Sequence, residues 1–240
     1  MQEFYMKTLV VHAASLKARG EHMERMLSRM GIDYEFIREG DLDALDSQLM
    51  SRFFKDGETL QPTARHSCAT KHFLACEYIV NHDLEGALVL EDDIVLHDNF
   101  KSVYAQSLDE LRSNYKDCPA IISYEDSSLR FVPRSQRRRG RLLYPATKGR
   151  MAGCYYMSRR CAEIILHDLA TNKCDATDAD TYHYELLQRG LIVYLWCQPT
   201  IATQGTFSGA FRSSLADDGP FVRWRWLFKK NYKKLLYWLR

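Results

Sequence analysis

The sequence predicts an α/β fold with a mainly parallel sheet. Three observations carry this. Strand and helix periodicities alternate from the start of the chain, an apolar run at 87–90 leads into three carboxylates, and 240 residues suffice for one sizeable core. Residues 8–13 (TLVVHA) form a short β-branched strand. Met23, Met26, Leu27 and Met30 follow at helical spacing, and Gly31 supplies a C-cap. Ile32, Tyr34 and Phe36 then alternate, so the order strand, helix, strand points to parallel pairing through a crossover. Ala69, Phe73, Cys76 and Val80 mark the next helix, and Gly86 releases the chain into ALVLEDD. Further strands are expected at 120–124, 153–157 and 191–196, and helices at 159–169 and 180–188. Residues 133–150 read as a mobile loop or hairpin. Residues 1–218 are expected to form the α/β domain and 219–240 a separate segment.

Composition excludes little, since 46% apolar and 27% charged residues with a net charge of +2 are ordinary for a globular chain. The distribution of charge says more. Residues 133–150 hold seven basic side chains and no acid, and 221–240 also lack any acid, so both invite an anionic partner. Seven cysteines without a CxxC pair make a poor disulfide or zinc framework. Cys68 and His72 stand at the i, i+4 spacing that lets a helix share a metal, against the weight of that composition. With no run of membrane-spanning length and no hydrophobic signal core, a reduced, cytoplasmic protein is expected.

Glu91, Asp92 and Asp93 end the apolar run. In open α/β sheets ligands bind beyond the carboxyl ends of strands, and clustered oxygens there suit Mg²⁺ or Mn²⁺ bridging to phosphates. A solvated acidic turn is the plain alternative.

LEDD, preceded by Ser67-Cys68-Ala69-Thr70-Lys71-His72, resembles glycosyltransferase family 25, which includes bacterial lipooligosaccharide galactosyltransferases and animal collagen galactosyltransferases. The family's usual stretch is Gly-Cys-Ala-x-Ser-His; Ser67 and Lys71 depart from it. Val10-Val11-His12 through Arg19 resembles the family's opening strand, with His12 at an asparagine position. Residues 153–158 (GCYYMS) with Ala162, and Asp180 before 190–194 (GLIVY), Pro199 and Gln204, resemble later segments. The resemblance implies a GT-A-type, Rossmann-like domain and an inverting transferase that moves a hexose, galactose from UDP-galactose first and glucose second, onto a lipooligosaccharide or lipopolysaccharide acceptor. It implies a Mn²⁺ or Mg²⁺ site at Asp93 and Glu91, and donor contacts from His12, Arg19, His72, Glu91 and Asp92.

Alternatives stand beside each role. Arg19 serves a phosphate or the uracil edge, or is an ordinary helix-surface arginine. His72 is a nucleotide contact or a core histidine. Inverting transfer needs a base for the acceptor hydroxyl; Asp180 is the first choice and Asp178 the second, although aspartate there also suits a helix N-cap. Arg137, Arg138, Arg139 and Arg141 are expected beside an acidic acceptor, or form a solvated loop. A metal-dependent phosphoryl-transfer enzyme lacks its P-loop here, and a nucleic-acid partner is not expected without a recognition module.

The tail FVRWRWLFKKNYKKLLYWLR reads as an amphipathic helix lying in an anionic, cytoplasmic membrane surface near a lipid-linked acceptor. Phe221, Trp224, Leu227, Phe228 and Trp238 lie on its apolar side. Lys230, Lys233 and Lys234 lie on the other, with Trp226 among the cations. Packing on the core is the alternative.

Overall fold

The chain alternates strands and helices as its periodicities require. The computed structural model describes residues 7–176, 178–208, 211 and 222–239. In chain order the elements are β1 (Thr8–Val11), α1 (Lys17–Met30), β2 (Tyr34–Ile37), α2 (Ser47–Phe53), α3 (Ala64–Asn81), β3 (Gly86–Glu91), β4 (Ile94–Leu96), α4 (Phe100–Asn114) and β5 (Ala120–Ser123). They continue with β6 (Leu143–Pro145), β7 (Cys154–Ser158), α5 (Arg159–Asn172), α6 (Ala179–Gln188), β8 (Val193–Cys197), β9 (Ala202–Gln204), α7 (Gly205–Ser208) and α8 (Val222–Leu239).

Seven strands form one sheet in the order β2-β1-β3-β7-β5-β8-β6. Pairings β1–β2, β1–β3 and β5–β8 are parallel, whereas β7 runs against both its neighbours and β6 against β8. Five strands therefore share a direction, but the sheet is mixed rather than simply parallel. The reason is visible in the chain: no α-helix lies between β5 and β7, and antiparallel strands need no crossover helix. Side chains alternate across the sheet to build two apolar layers. Ala87, Val89, Tyr155 and Met157 pack towards α3 and α5, and Leu88, Leu90, Cys154 and Tyr156 towards α1 and α4.

Two readings of basic segments change. Residues 133–150 hold the edge strand β6, and Arg150, 2% exposed, is a core residue. Its guanidinium donates to the carbonyls of Ser123, Cys197 and Arg130 and lies over the Trp196 ring. The tail is a helix, but the face that docks is not the apolar one. Trp226 is buried and donates to the Ser127 carbonyl, and Lys230 pairs at 2.7 Å with Asp126, which is 0% exposed. Tyr237 meets Phe131 edge-on, and Arg134 stacks on Trp238. A buried carboxylate needs its counter-charge, so Lys230 is drawn inward with the indole beside it. Trp226 and Lys230 are thus parts of the domain surface and not membrane contacts. Phe221 lies outside the described residues.

Lys230→Ala is expected to cost about 3 kcal/mol, since it leaves Asp126 buried without its cation. Lys233→Ala, on an exposed position, should stay within about 0.5 kcal/mol. Urea denaturation of both variants measures the difference.

Candidate active site

The parallel strands β1 and β3 lie side by side, with Val11 opposite Glu91 in register, so both chains leave the sheet at one place. A cavity of about 610 Å³ opens there, lined by Ala13, Ala14, Arg19, Asp41, Ser67, Cys68, Lys71, Glu91 and Asp92 among others. Position beyond strand carboxyl ends is where such sheets bind ligands.

Each of the three carboxylates is held differently. Asp92 is matched by two partners: His12 Nδ1 lies 2.9 Å from Oδ2 and Arg19 donates to Oδ1 at 3.0 Å. His12 can lie there because residue 20 is glycine; a Cβ on Gly20 would meet His12 Nε2 at 2.8 Å. Glu91 accepts from Gln204 at 2.7 Å through Oε2, while Oε1 faces His72 Nε2 at 3.5 Å. Asp93 accepts from the Thr206 hydroxyl, and its Oδ1 is buried with no hydrogen-bond partner among the described residues. Burial, then repulsion from Glu91, pushes the Asp93 carboxyl up to about 6. An orphaned carboxylate oxygen in a crowded negative site fits a hard divalent cation, which takes oxygen ligands.

Other predicted residues divide by where they fall. Arg19 lines the cavity with a mostly buried side chain, so it is no ordinary surface arginine. The His72 side chain is 0% exposed, so it lies against Glu91 inside the domain and cannot touch a nucleotide itself. His12 is likewise buried and acts on Asp92. Arg137, Arg138 and Arg141 bond to carbonyls of their own loop, and Arg141 also to Tyr115. Neither they nor Arg139 lines this cavity or the one that holds Asp180.

That second cavity, of about 340 Å³, is lined by Ser128, Arg130, Lys148, Gly149, Arg150, Met151, Asp180, Thr181 and Tyr184. The cations that line it with Asp180 are Arg130, Lys148 and the buried Arg150, and the exposed Tyr184 ring offers a flat apolar surface. Asp178 is the N-cap of α6, accepting from the Thr181 amide, as aspartate at that position should. It also hydrogen-bonds Asp180. Burial and that bond, with the charges of Asp178 and Glu91, push Asp180 up to about 8. Asp178, with Asp180 and Thr181 donating to it, is held low against its own burial. Of the two, Asp180 is the member driven towards its protonated form.

Several contacts were not predicted. Lys71, 1% exposed, pairs with Asp41 at 2.6 Å and donates to Ser67, bracing the cavity rim. A lysine inside an otherwise apolar helix face was the available signal. Thr206 and the role of Gln204 had none, because they reach Asp93 and Glu91 only through the β4–β9 pairing.

The family model for glycosyltransferase family 25, described as LPS biosynthesis protein, matches residues 6–179. The chain belongs to glycosyltransferase family 25. It is accordingly a glycosyltransferase, with a sugar donor and an acceptor to bring together. No curated protein sequence matches it. Among solved structures, A197 from STIV is similar over 80% of each chain at 14% identity, with a TM-score of 0.43. Mannose-1-phosphate geranyltransferase from Thermus thermophilus aligns with 97% of this chain and 66% of its own, at 11% identity and a TM-score of 0.27.

For a family 25 transferase, the Asp178–Asp180 pair sets a pH dependence. If Asp180 takes the acceptor proton, it must first lose its own, so kcat/KM should rise through a limb near pH 8, where the pair holds the Asp180 proton. Removing the neighbouring charge stabilises the Asp180 anion, so Asp178→Asn should move the limb to lower pH. Asp180→Asn should abolish the limb and lower turnover by more than about a hundredfold. Initial rates across pH 5–10 measure both; a wild-type limb unmoved in Asp178→Asn excludes the coupling.

Proposed function

We propose that this protein transfers a hexose, galactose from UDP-galactose, onto a lipooligosaccharide or lipopolysaccharide acceptor with inversion at the anomeric carbon. One observation carries the reading: Glu91 lines the cavity beyond β1 and β3, suited to the donor, and its charge acts on Asp180, which lines a cation-rimmed cavity suited to the acceptor. On this reading the domain is of the GT-A type. The nucleotide lies along 13–19 and Asp41, with Arg19 at the diphosphate. Asp93 and Glu91 would hold Mn²⁺ or Mg²⁺, which when bound stabilises the charge that develops on the departing diphosphate. Asp180, deprotonated, accepts the proton of the acceptor hydroxyl as that oxygen attacks the anomeric carbon from the face opposite the diphosphate. Asp178 stays on the helix cap and tunes it. Arg130 and Lys148 meet acidic groups of the acceptor, and Tyr184 lies flat against a sugar face.

The proposal includes a membrane surface. Among the described residues no helix is long and apolar enough to cross a membrane. On α8, however, Trp224 is 73% and Phe228 76% exposed, and Tyr232, Leu235, Trp238 and Leu239 are exposed in the same stripe. That stripe lies opposite the face carrying Trp226, Lys230 and Tyr237, and exposed Lys229 and Lys233 stand between the two. Apolar burial together with attraction of cations to anionic lipid supports a helix lying in the interface of the cytoplasmic leaflet.

A panel of UDP-sugars with Mn²⁺ and truncated lipooligosaccharide acceptors, read by mass spectrometry, tests the reaction. One hexose increment with UDP-galactose is expected, and none in Asp93→Asn. Transfer from UDP-glucose alone would replace the donor, and an active Asp93→Asn at limiting Mn²⁺ would remove the metal role.

The membrane arm is tested on the exposed stripe, sparing Trp226 and Lys230. Replacing Trp224, Phe228 and Trp238 by serine should release the protein from anionic vesicles in sedimentation while transfer to a soluble acceptor continues. Undiminished vesicle binding would defeat it.

A further inference from the structure

On the wall of the donor cavity stands a group of side chains whose joint chemistry the transfer reaction does not use. Cys68 and His72 lie one turn apart on α3 and converge on Glu91. The Cys68 sulfur is 4.0 Å and His72 Nε2 3.5 Å from Glu91 Oε1, and the three ligand atoms all lie within 4.8 Å of one another. His72 is 1% exposed, yet its Nε2 has no hydrogen-bond partner among the described residues. An unmet buried nitrogen is costly, so its position calls for an explanation.

The surroundings supply one. His72 Nδ1 is hydrogen-bonded to the Tyr155 hydroxyl at 2.9 Å, and the two rings stack at 5.7 Å. When Nδ1 donates to that hydroxyl, Nε2 presents its lone pair beside Glu91 and is free to ligate. Gln204 in turn occupies Glu91 Oε2 and leaves Oε1 turned to the histidine and the thiol. Ligands that are each oriented by an outer hydrogen bond are how proteins preorganise a metal site.

We propose that Cys68, His72 and Glu91 bind one zinc ion in a three-ligand site open to the donor cavity. The donor atoms select the ion: thiolate and imidazole together favour Zn²⁺, whereas Mg²⁺ and Mn²⁺ prefer oxygen. Tetrahedral zinc with ordinary bond lengths sets its ligand atoms about 3.3–3.6 Å apart, so the side chains need close by only about 1 Å. The Cys68 sulfur binds as thiolate and its proton leaves to solvent. Cys68 and Glu91 both line the cavity, so the fourth position faces it. The site goes beyond the transfer reading and does not depend on it. Because Glu91 is shared, zinc there would compete with the oxygen-bound cation assigned above.

Cobalt(II) is the probe, added to the metal-free full chain and followed by absorption. One ion per chain is expected, with a near-ultraviolet thiolate-to-cobalt charge-transfer band that one equivalent of Zn²⁺ erases. Cys68→Ser, of similar size at a half-buried position, should lose the band. Asp93→Asn should keep it, which separates this site from the carboxylate centre whether or not the protein transfers sugar. Tyr155→Phe, with all three ligands intact, should weaken Zn²⁺ by about 10–100-fold. A wild-type spectrum without the thiolate band, or a band that survives Cys68→Ser, overturns the proposal. Zinc affinity unchanged in Tyr155→Phe overturns the part given to His72.

Discussion

Three consecutive carboxylates at the end of a central strand must be held together where little water reaches them, and much of the molecule is arranged around that constraint. Asp92 and Asp93 are both at most 5% exposed. Carboxylates in such a place either find partners or take up protons. Asp92 finds His12 from the end of β1 and Arg19 from α1. Glu91 accepts from Gln204 of β9 and lies against His72 of α3, and Asp93 finds Thr206 from α7. The partners thus come from five elements, and the small β4–β9 sheet has a plain purpose in bringing two of them. Among the described residues, the second oxygen of Asp93 is left without a hydrogen-bond partner, and the proposed cation would meet it there.

The same electrostatics resolves the choice between capping and catalysis at the start of α6. Burial raises Asp180 most, and Asp178, which fills the cap and is fixed there by the Thr181 amide, adds to that through its bond and its charge. Cap and candidate base are therefore one device. Unlike environments that drive two acids apart are a common way of dividing their roles. Here the partially buried Asp180 is the member that faces the cavity.

Most of the core was legible because its signals are local. The Met23–Met30 spacing, the Gly31 cap at φ 61° and the run before Glu91 each fix an element from its own residues. The strand direction of β7 was not local; it depends on what lies between β5 and β7. Helix α4 was missed because its buried Phe100, Val103, Tyr104 and Leu108 are interrupted by polar residues and begin without an N-cap side-chain bond. At the site, the acids and Arg19 could be named from sequence, but not how they divide. His12 and His72 proved buried supports because Gly20 and Tyr155, set apart from them in the chain, shape their pockets. The arginines at 137–141 misled for a related reason. A run of charge shows that cations are present, while the loop's own carbonyls and Tyr115 decide where they point.

The tail shows the same principle acting on orientation. Its stripe of aromatic residues would ordinarily be read as the buried face, and hydrophobicity alone would turn it inward. Instead a fully buried carboxylate beside it, Asp126, claims Lys230, and the helix rolls to deliver that cation. Asp126 also accepts from Thr203, the neighbour of the Gln204 that holds Glu91. Strand β9 therefore touches the root of the helix on one side and the acidic site on the other. On the proposed membrane reading, this linkage gives the exposed stripe a fixed direction relative to the two cavities. On that reading a helix anchored through Trp226 and Lys230 would set the attitude of the whole domain on the bilayer, which a flexible tether could not do.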